Sequence, residues 1–150
     1  AAASMTATID EGELGLDADG RRIGIADLAP AWCWEVAVDP SDAAVPLQMT
    51  QLTRLTGHLP ATVALRIVLV DGSADRGLAA PMRICRFAER MQVPESVVLV
   101  RTQPALTPIE HRLIDADGRV VHRDSGFMSA AAMQRQIELM RTIARMGGGR

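Results

Sequence analysis

Apolar residues in this chain fall into short strand-like runs separated by longer stretches of helical period. Glu13–Leu16 and Arg21–Ile25 flank Asp17-Ala18-Asp19-Gly20, and Asp-Gly at the tip supplies the positive φ that a hairpin needs. Ala26–Ala31 is a connector that includes Pro30. Trp32–Val38 (WCWEVAV) is short, apolar and β-rich with one charge, Glu35, which suits a buried strand. It stops at Asp39-Pro40-Ser41-Asp42, because proline cannot donate to a ladder. Ser41 or Asp42 can cap the helix predicted over 43–56, where Val45, Met49, Leu52, Leu55 and Thr56 form one stripe. Pro46 is tolerated in its first turn and Gly57 ends it.

Thr62–Val70 (TVALRIVLV) is the longest β-branched run and the predicted central strand. A second helix is expected over 75–92, regular from about Ala79 because of Pro81, with Leu78, Met82, Cys85, Ala88 or Glu89, and Met91 facing inward. Ser96–Arg101 reads as a third buried strand, and Thr102–Thr107 as a connector. Ile109–Asp115 and Arg119–Arg123 flank Ala116-Asp117-Gly118, a second hairpin. The last helix is expected over 129–144, capped by Ser129, with Met133, Ile137, Met140 and Ala144 buried. Strands alternating with helices imply parallel pairing through right-handed crossovers, and the last two strands must be antiparallel. The expectation is an α/β domain over 13–146: a mixed sheet with helices on both faces and an N-terminal β-hairpin. Residues 1–12 and 147–150 are read as loose ends.

Composition narrows the function. With 150 residues, one domain with a real core is the default. Sixteen basic and 18 acidic residues give −2, so charge makes no case for nucleic acid or an anionic membrane. Every basic residue is arginine, which removes Schiff-base and P-loop lysines from consideration. No run is long enough to span a bilayer. The start, AAASM, has neither a basic region nor an apolar core of a leader, which favours the cytoplasm, or the periplasm if a leader was removed. Cys33 and Cys85 make neither a CxxC nor a metal-ligand spacing, and each sits in an apolar run, so two buried free thiols are expected.

Other candidate groups read as structural. His111 and His122, with Glu110 and Asp124, are conceivable metal ligands, but polar outer-face residues of an edge pair are the preferred reading. His58 follows Gly57 and reads as solvated or capping. Asp39, Ser41 and Asp42 lack a histidine partner for hydrolysis and suit helix capping. Asp115, Asp117 and Asp124 belong to a hairpin rather than a Ca²⁺ loop. The methionines at helical spacing are core filler. No metal and no cofactor is expected.

Three segments carry a resemblance. DADGRRIGIADL within Leu16–Leu28, WCWEVAVDPSDAAVP at 32–46 and TPIEHRLIDADGRVVHRDSG at 107–126 resemble, in that order, the hairpin, redox-loop and proline–hairpin segments of thioredoxin-like proteins. The thiol–disulfide reductase and peroxiredoxin-like branch is the nearer likeness, over most of residues 14–145. The departure is informative. Aligning Pro46 and Pro40 with the family's prolines puts its two cysteine positions on Val38 and Ser41. Neither forms a thiolate, and disulfide exchange needs one.

The resemblance also puts Pro108 at the family's cis-proline, with the Thr107 backbone offered to an extended peptide. Strand pairing needs no cysteine. The expected function is therefore a redox-inactive thioredoxin-like protein that binds a protein or peptide, as a chaperone or assembly factor, through Val38, Asp39, Pro40, Ser41, Thr107 and Pro108. One alternative is a one-cysteine thiol peroxidase or reductase using Cys33. Another is a PAS-like ligand sensor, since EHRLIDADGRVVHR also resembles the closing hairpin of that fold.

Overall fold

The computed structural model describes residues 13–28, 32–71, 77–104 and 107–148. Seven strands form one sheet: β1 (Glu13–Leu16), β2 (Arg22–Gly24), β3 (Trp32–Val38), β4 (Val63–Asp71), β5 (Val98–Pro104), β6 (Ile109–Ile114) and β7 (Val120–Ser125). Helix α1 (Val45–Thr56) joins β3 to β4, α2 (Ala80–Met91) lies between β4 and β5, and α3 (Ala130–Gly148) follows β7. A 3-10 turn, Ile25–Asp27, follows β2. The spatial order is β2-β1-β5-β4-β3-β6-β7. The central β3, β4 and β5 are parallel, and the pairs β3–β6, β6–β7, β1–β5 and β1–β2 are antiparallel.

Side-chain alternation divides the core in two. Trp34, Val36 and Val38 of β3 join Leu65, Ile67 and Leu69 of β4 in the larger cluster, which also takes Met49 and Leu52 of α1, Ile84 and Phe87 of α2, and Met133 and Ile137 of α3. Cys33, Ala37, Val68, Val70, Leu99 and Ile114 point the other way, toward Leu14 and Ile25. All three α-helices thus share one face, while the hairpin and the 3-10 turn serve the other, where helices were also expected. Crossover handedness explains it. The steps β3→β4→β5 run in one direction across the sheet, so right-handed connections put α1 and α2 on the same side.

Several boundaries differ from the sequence pattern. The β5 ladder continues to Pro104, which pairs with Asp71 across an irregularity, so half of the expected 102–107 connector is strand. Helix α3 runs through Gly147 and Gly148, expected to be tail. The looseness expected of 1–12 and of 149–150 lies outside the described residues. The buried residues of α2 are Arg83, Ile84, Phe87 and Ala88; of the expected stripe Ala88 is buried and Met91 packs on the core, whereas Met82 and Cys85 are exposed. Arg83 belongs inside because its Nη2 donates to the Val70 carbonyl at 3.1 Å. Helix α1 begins after Ala44, with no side-chain cap on its first turn; Asp42 Oδ1 instead accepts from Ala44 N in the preceding turn. Ser129 Oγ does accept from Ala132 N, as a capping serine should. Among the described residues no helix is long and apolar enough to cross a membrane.

The two DADGR segments fold into the same turn. Asp17 Oδ1 accepts from Asp19 N and Arg21 N, and Asp115 Oδ1 from Asp117 N and Arg119 N, each at 2.9 Å.

Gly15 leaves no room for a side chain. A Cβ there would lie 2.6 Å from the Val100 carbonyl oxygen, where β1 meets β5. Gly15→Ala is expected to cost about 2 kcal/mol or more in urea unfolding. Unchanged stability would show that β1 does not pack against β5 this closely.

Candidate functional site

The loop after β3 and the start of β6 meet because their strands are antiparallel neighbours, with Val38 opposite Ile109. Asp39 N–H donates to the Pro108 carbonyl at 2.9 Å, bridging the two segments. Thr107 Oγ1 donates to the Ile109 carbonyl at 3.2 Å, and Gly126 N–H to the same oxygen at 2.9 Å. From the last turn of α2, Arg90 Nη2 donates to the Pro40 carbonyl at 2.9 Å. Asp39 Oδ1 accepts from Ser41 N and Oγ, closing the turn. The six residues singled out from the sequence therefore sit at one end of the sheet, but they are not equally accessible. Val38 and Pro40 are buried, Asp39 and Thr107 half-buried, and Ser41 and Pro108 exposed. Phe127, next to Gly126, is half exposed on the chain that leaves the sheet here.

The two cysteines lie apart from this loop. Cys33 is fully buried in β3, paired with Ala64 and Ile114. Burial, and then the Glu35 charge, push its thiol up to about 12. Cys85 is an exposed free thiol on α2, against the expectation that both would be buried. The stripe reading placed it inward, whereas the helix turns Ile84 and Phe87 to the core.

The histidines correct a second expectation. Ile109, His111 and Leu113 alternate onto the same face of β6, so His111 points into the core rather than outward. Its ring lies 5.6 Å from that of Trp34, and the His122 ring stacks on Trp34 at 6.3 Å. His111 Nε2 donates to the Gly126 carbonyl at 2.9 Å, which fixes the proton on that nitrogen. Trp34 Nε1, His111 Nδ1 and His122 Nε2 are buried without a hydrogen-bond partner among the described residues, and the Asp124 carboxylate lies 4.0 Å from His122 Nε2. Among the described residues no three His, Cys, Asp or Glu side chains are grouped to hold a metal.

A further cluster lies on the opposite face of β3. Glu35, fully buried, accepts from Arg112 Nε and Nη2 at 2.7 Å each and from Arg101 Nη2. Arg101 Nε also donates to the Leu14 carbonyl at 3.1 Å. In the sequence these residues are a lone glutamate in one strand and arginines in two others; only the sheet register joins them.

No protein-family model matches the chain, and no curated protein matches it. Solved structures do resemble it. The pneumococcal exposed lipoprotein thioredoxin of Streptococcus pneumoniae is 13% identical, with a TM-score of 0.61 over 84% of this chain and 96% of that one. A thiol:disulfide interchange protein of the thioredoxin family from Chlorobium tepidum is also 13% identical, with a TM-score of 0.56 over 85% and 92%. ScoI of Arabidopsis thaliana, solved with copper bound, is 10% identical, with a TM-score of 0.62 over 89% and 99%. The fold is thioredoxin-like, as the three sequence segments implied. Its parallel centre and crossover helices displace the PAS-like reading, which needs an antiparallel sheet.

Burial pushes the His111 imidazole down from the ordinary 6.5 to about 4, against the upward pull of the Gly126 carbonyl. The folded protein then binds fewer protons than the unfolded chain between those values. Stability is full above pH 6.5 and falls as the pH drops toward 4, by at most about 3 kcal/mol. Urea unfolding across that range is expected to show the decline in the wild type and a shallower one in His111→Phe. Parallel slopes in the two proteins would contradict this burial.

Proposed function

We propose that this protein is a thioredoxin-like binding module, acting as a chaperone or assembly factor, which takes an extended protein segment at the Val38–Ser41 and Thr107-Pro108 edge and performs no thiol–disulfide exchange. The observation that carries this reading is the placement of the thiols. Val38 and Ser41 stand at the positions where the resemblance places the family's cysteines. Cys33 lies fully buried in a strand with its thiol raised to about 12. A thiol so raised has almost no thiolate near neutral pH, and the thiolate is the nucleophile.

The edge itself suits binding. Asp39 and Pro108 share a backbone hydrogen bond, and Arg90 holds the Pro40 carbonyl, so the loop is ordered before any partner arrives. Backbone pairing with an added strand supplies affinity without cysteine, and exposed Pro108 and Phe127 supply apolar surface nearby.

Amide chemical shifts should be followed while titrating carboxamidomethylated insulin B chain, an unfolded segment with no free thiol. Perturbations are expected to cluster at 38–41 and 107–110, and Ser41→Arg, on an exposed side chain, should weaken binding about tenfold. Perturbations confined to other surfaces, or none, would overturn the assignment.

A further inference from the structure

The helix-free face of the sheet carries an arginine cluster that the proposed binding edge does not use. Cross-strand register sets it up: Glu35 on β3 lies opposite Arg112 on β6, and Arg112 opposite Arg123 on β7. Arg101 reaches the same carboxylate from β5. Beside this group is a cavity of about 180 Å³, lined by Glu35, Arg101, Gln103, Glu110, Arg112 and Arg123.

Charge and donor counts both leave this cavity short of an anion. The Glu35 carboxylate is fully buried, and the Arg101 and Arg112 side chains are 7% and 10% exposed. One carboxylate between two such guanidiniums leaves a net positive charge out of water, which is costly unless a further anion neutralises it. Arg123 adds a third guanidinium at the cavity and Glu110 a second carboxylate, so the lining stays net positive. Donors remain as well. Arg112 uses Nε and Nη2 on Glu35, while Arg101 uses Nε on the Leu14 carbonyl and Nη2 on Glu35. Each keeps its Nη1 group uncommitted among the described residues. Guanidinium edges match the oxygens of carboxylates and phosphates.

We propose that this cavity binds a small oxyanion, a short organic acid or a phosphate. Its size decides against larger anions, because pockets for drug-sized ligands begin at about 300 Å³. The ligand's acidic oxygens take the Arg101, Arg112 and Arg123 side, and Gln103, with both a donor and an acceptor, adapts to the rest. Glu110 at the same cavity disfavours a second full negative charge nearby and accepts from a ligand hydroxyl or ammonium group.

Thermal unfolding of the full chain in millimolar sodium phosphate or sodium malonate, against sodium chloride at equal ionic strength, tests this. At least one of the two anions is expected to raise Tm beyond chloride, as a ligand of the folded state must. Phosphate acting alone would identify a phosphate site, and malonate acting alone a carboxylate site. Arg123→Gln should weaken the effective anion about tenfold by calorimetry. Replacing Arg112 risks the fold, so Gln103→Leu serves as a second variant and should also weaken binding. Tm values that follow ionic strength alone, or affinities unmoved by both variants, would overturn the proposal.

Discussion

The carboxylate of Glu35, buried between Arg101 and Arg112, is the interaction on which the arrangement of this sheet depends. It joins β3 to β5 and β6, and Arg101 carries the connection on to the backbone of β1. Removing one partner from such a group leaves an unpaired buried charge and typically costs about 3–5 kcal/mol. A one-residue slip of β3 would turn Glu35 toward the helices and Trp34 away from them. The hydrogen bonds of the ion group thus form only in the observed register. It sits where the helix-free face has little other apolar material, against the smaller of the two core clusters.

That register sets the candidate binding edge. Because Glu35 faces Arg112, Val38 faces Ile109, and the loop after β3 must meet the turn before β6. The backbone bond from Asp39 to Pro108 follows from that placement. Behind the edge, Gln48 of α1 clamps the start of α3: its Nε2 donates to the Met128 carbonyl and its Oε1 accepts from Met128 N. Loop, helix and closing segment are thus fixed to one another by hydrogen bonds rather than by any cysteine chemistry.

Much of this was legible in the sequence. Strand-helix alternation, the two Asp-Gly turns and the apolar stripes of α1 and α3 are local signals, and they predict the element order and the thioredoxin-like likeness. What was not legible depends on contacts between distant segments. The stripe through Met82 and Cys85 on α2 leaves out Arg83, whose place inside depends on the distant Val70 carbonyl, and Cys85 is exposed instead. His111 reads as polar edge until parity with Ile109 and Leu113 puts it on the Trp34 side. Residues 102–104 read as connector because Pro104 suggests a break, although pairing with Asp71 extends the strand past it. The Glu35 cluster has no sequence signature, since its members lie 66 and 77 positions apart.

The proposed function rests on a thioredoxin-like scaffold with Val38 and Ser41, and no cysteine, at the end of β3 and in the loop after it. Dithiothreitol-driven insulin reduction tests it most directly. The protein is expected to leave the precipitation rate at the uncatalysed value over the neutral pH range. Catalysis that disappears in Cys33→Ser would contradict the account, because it would require a thiolate from a residue this structure buries completely.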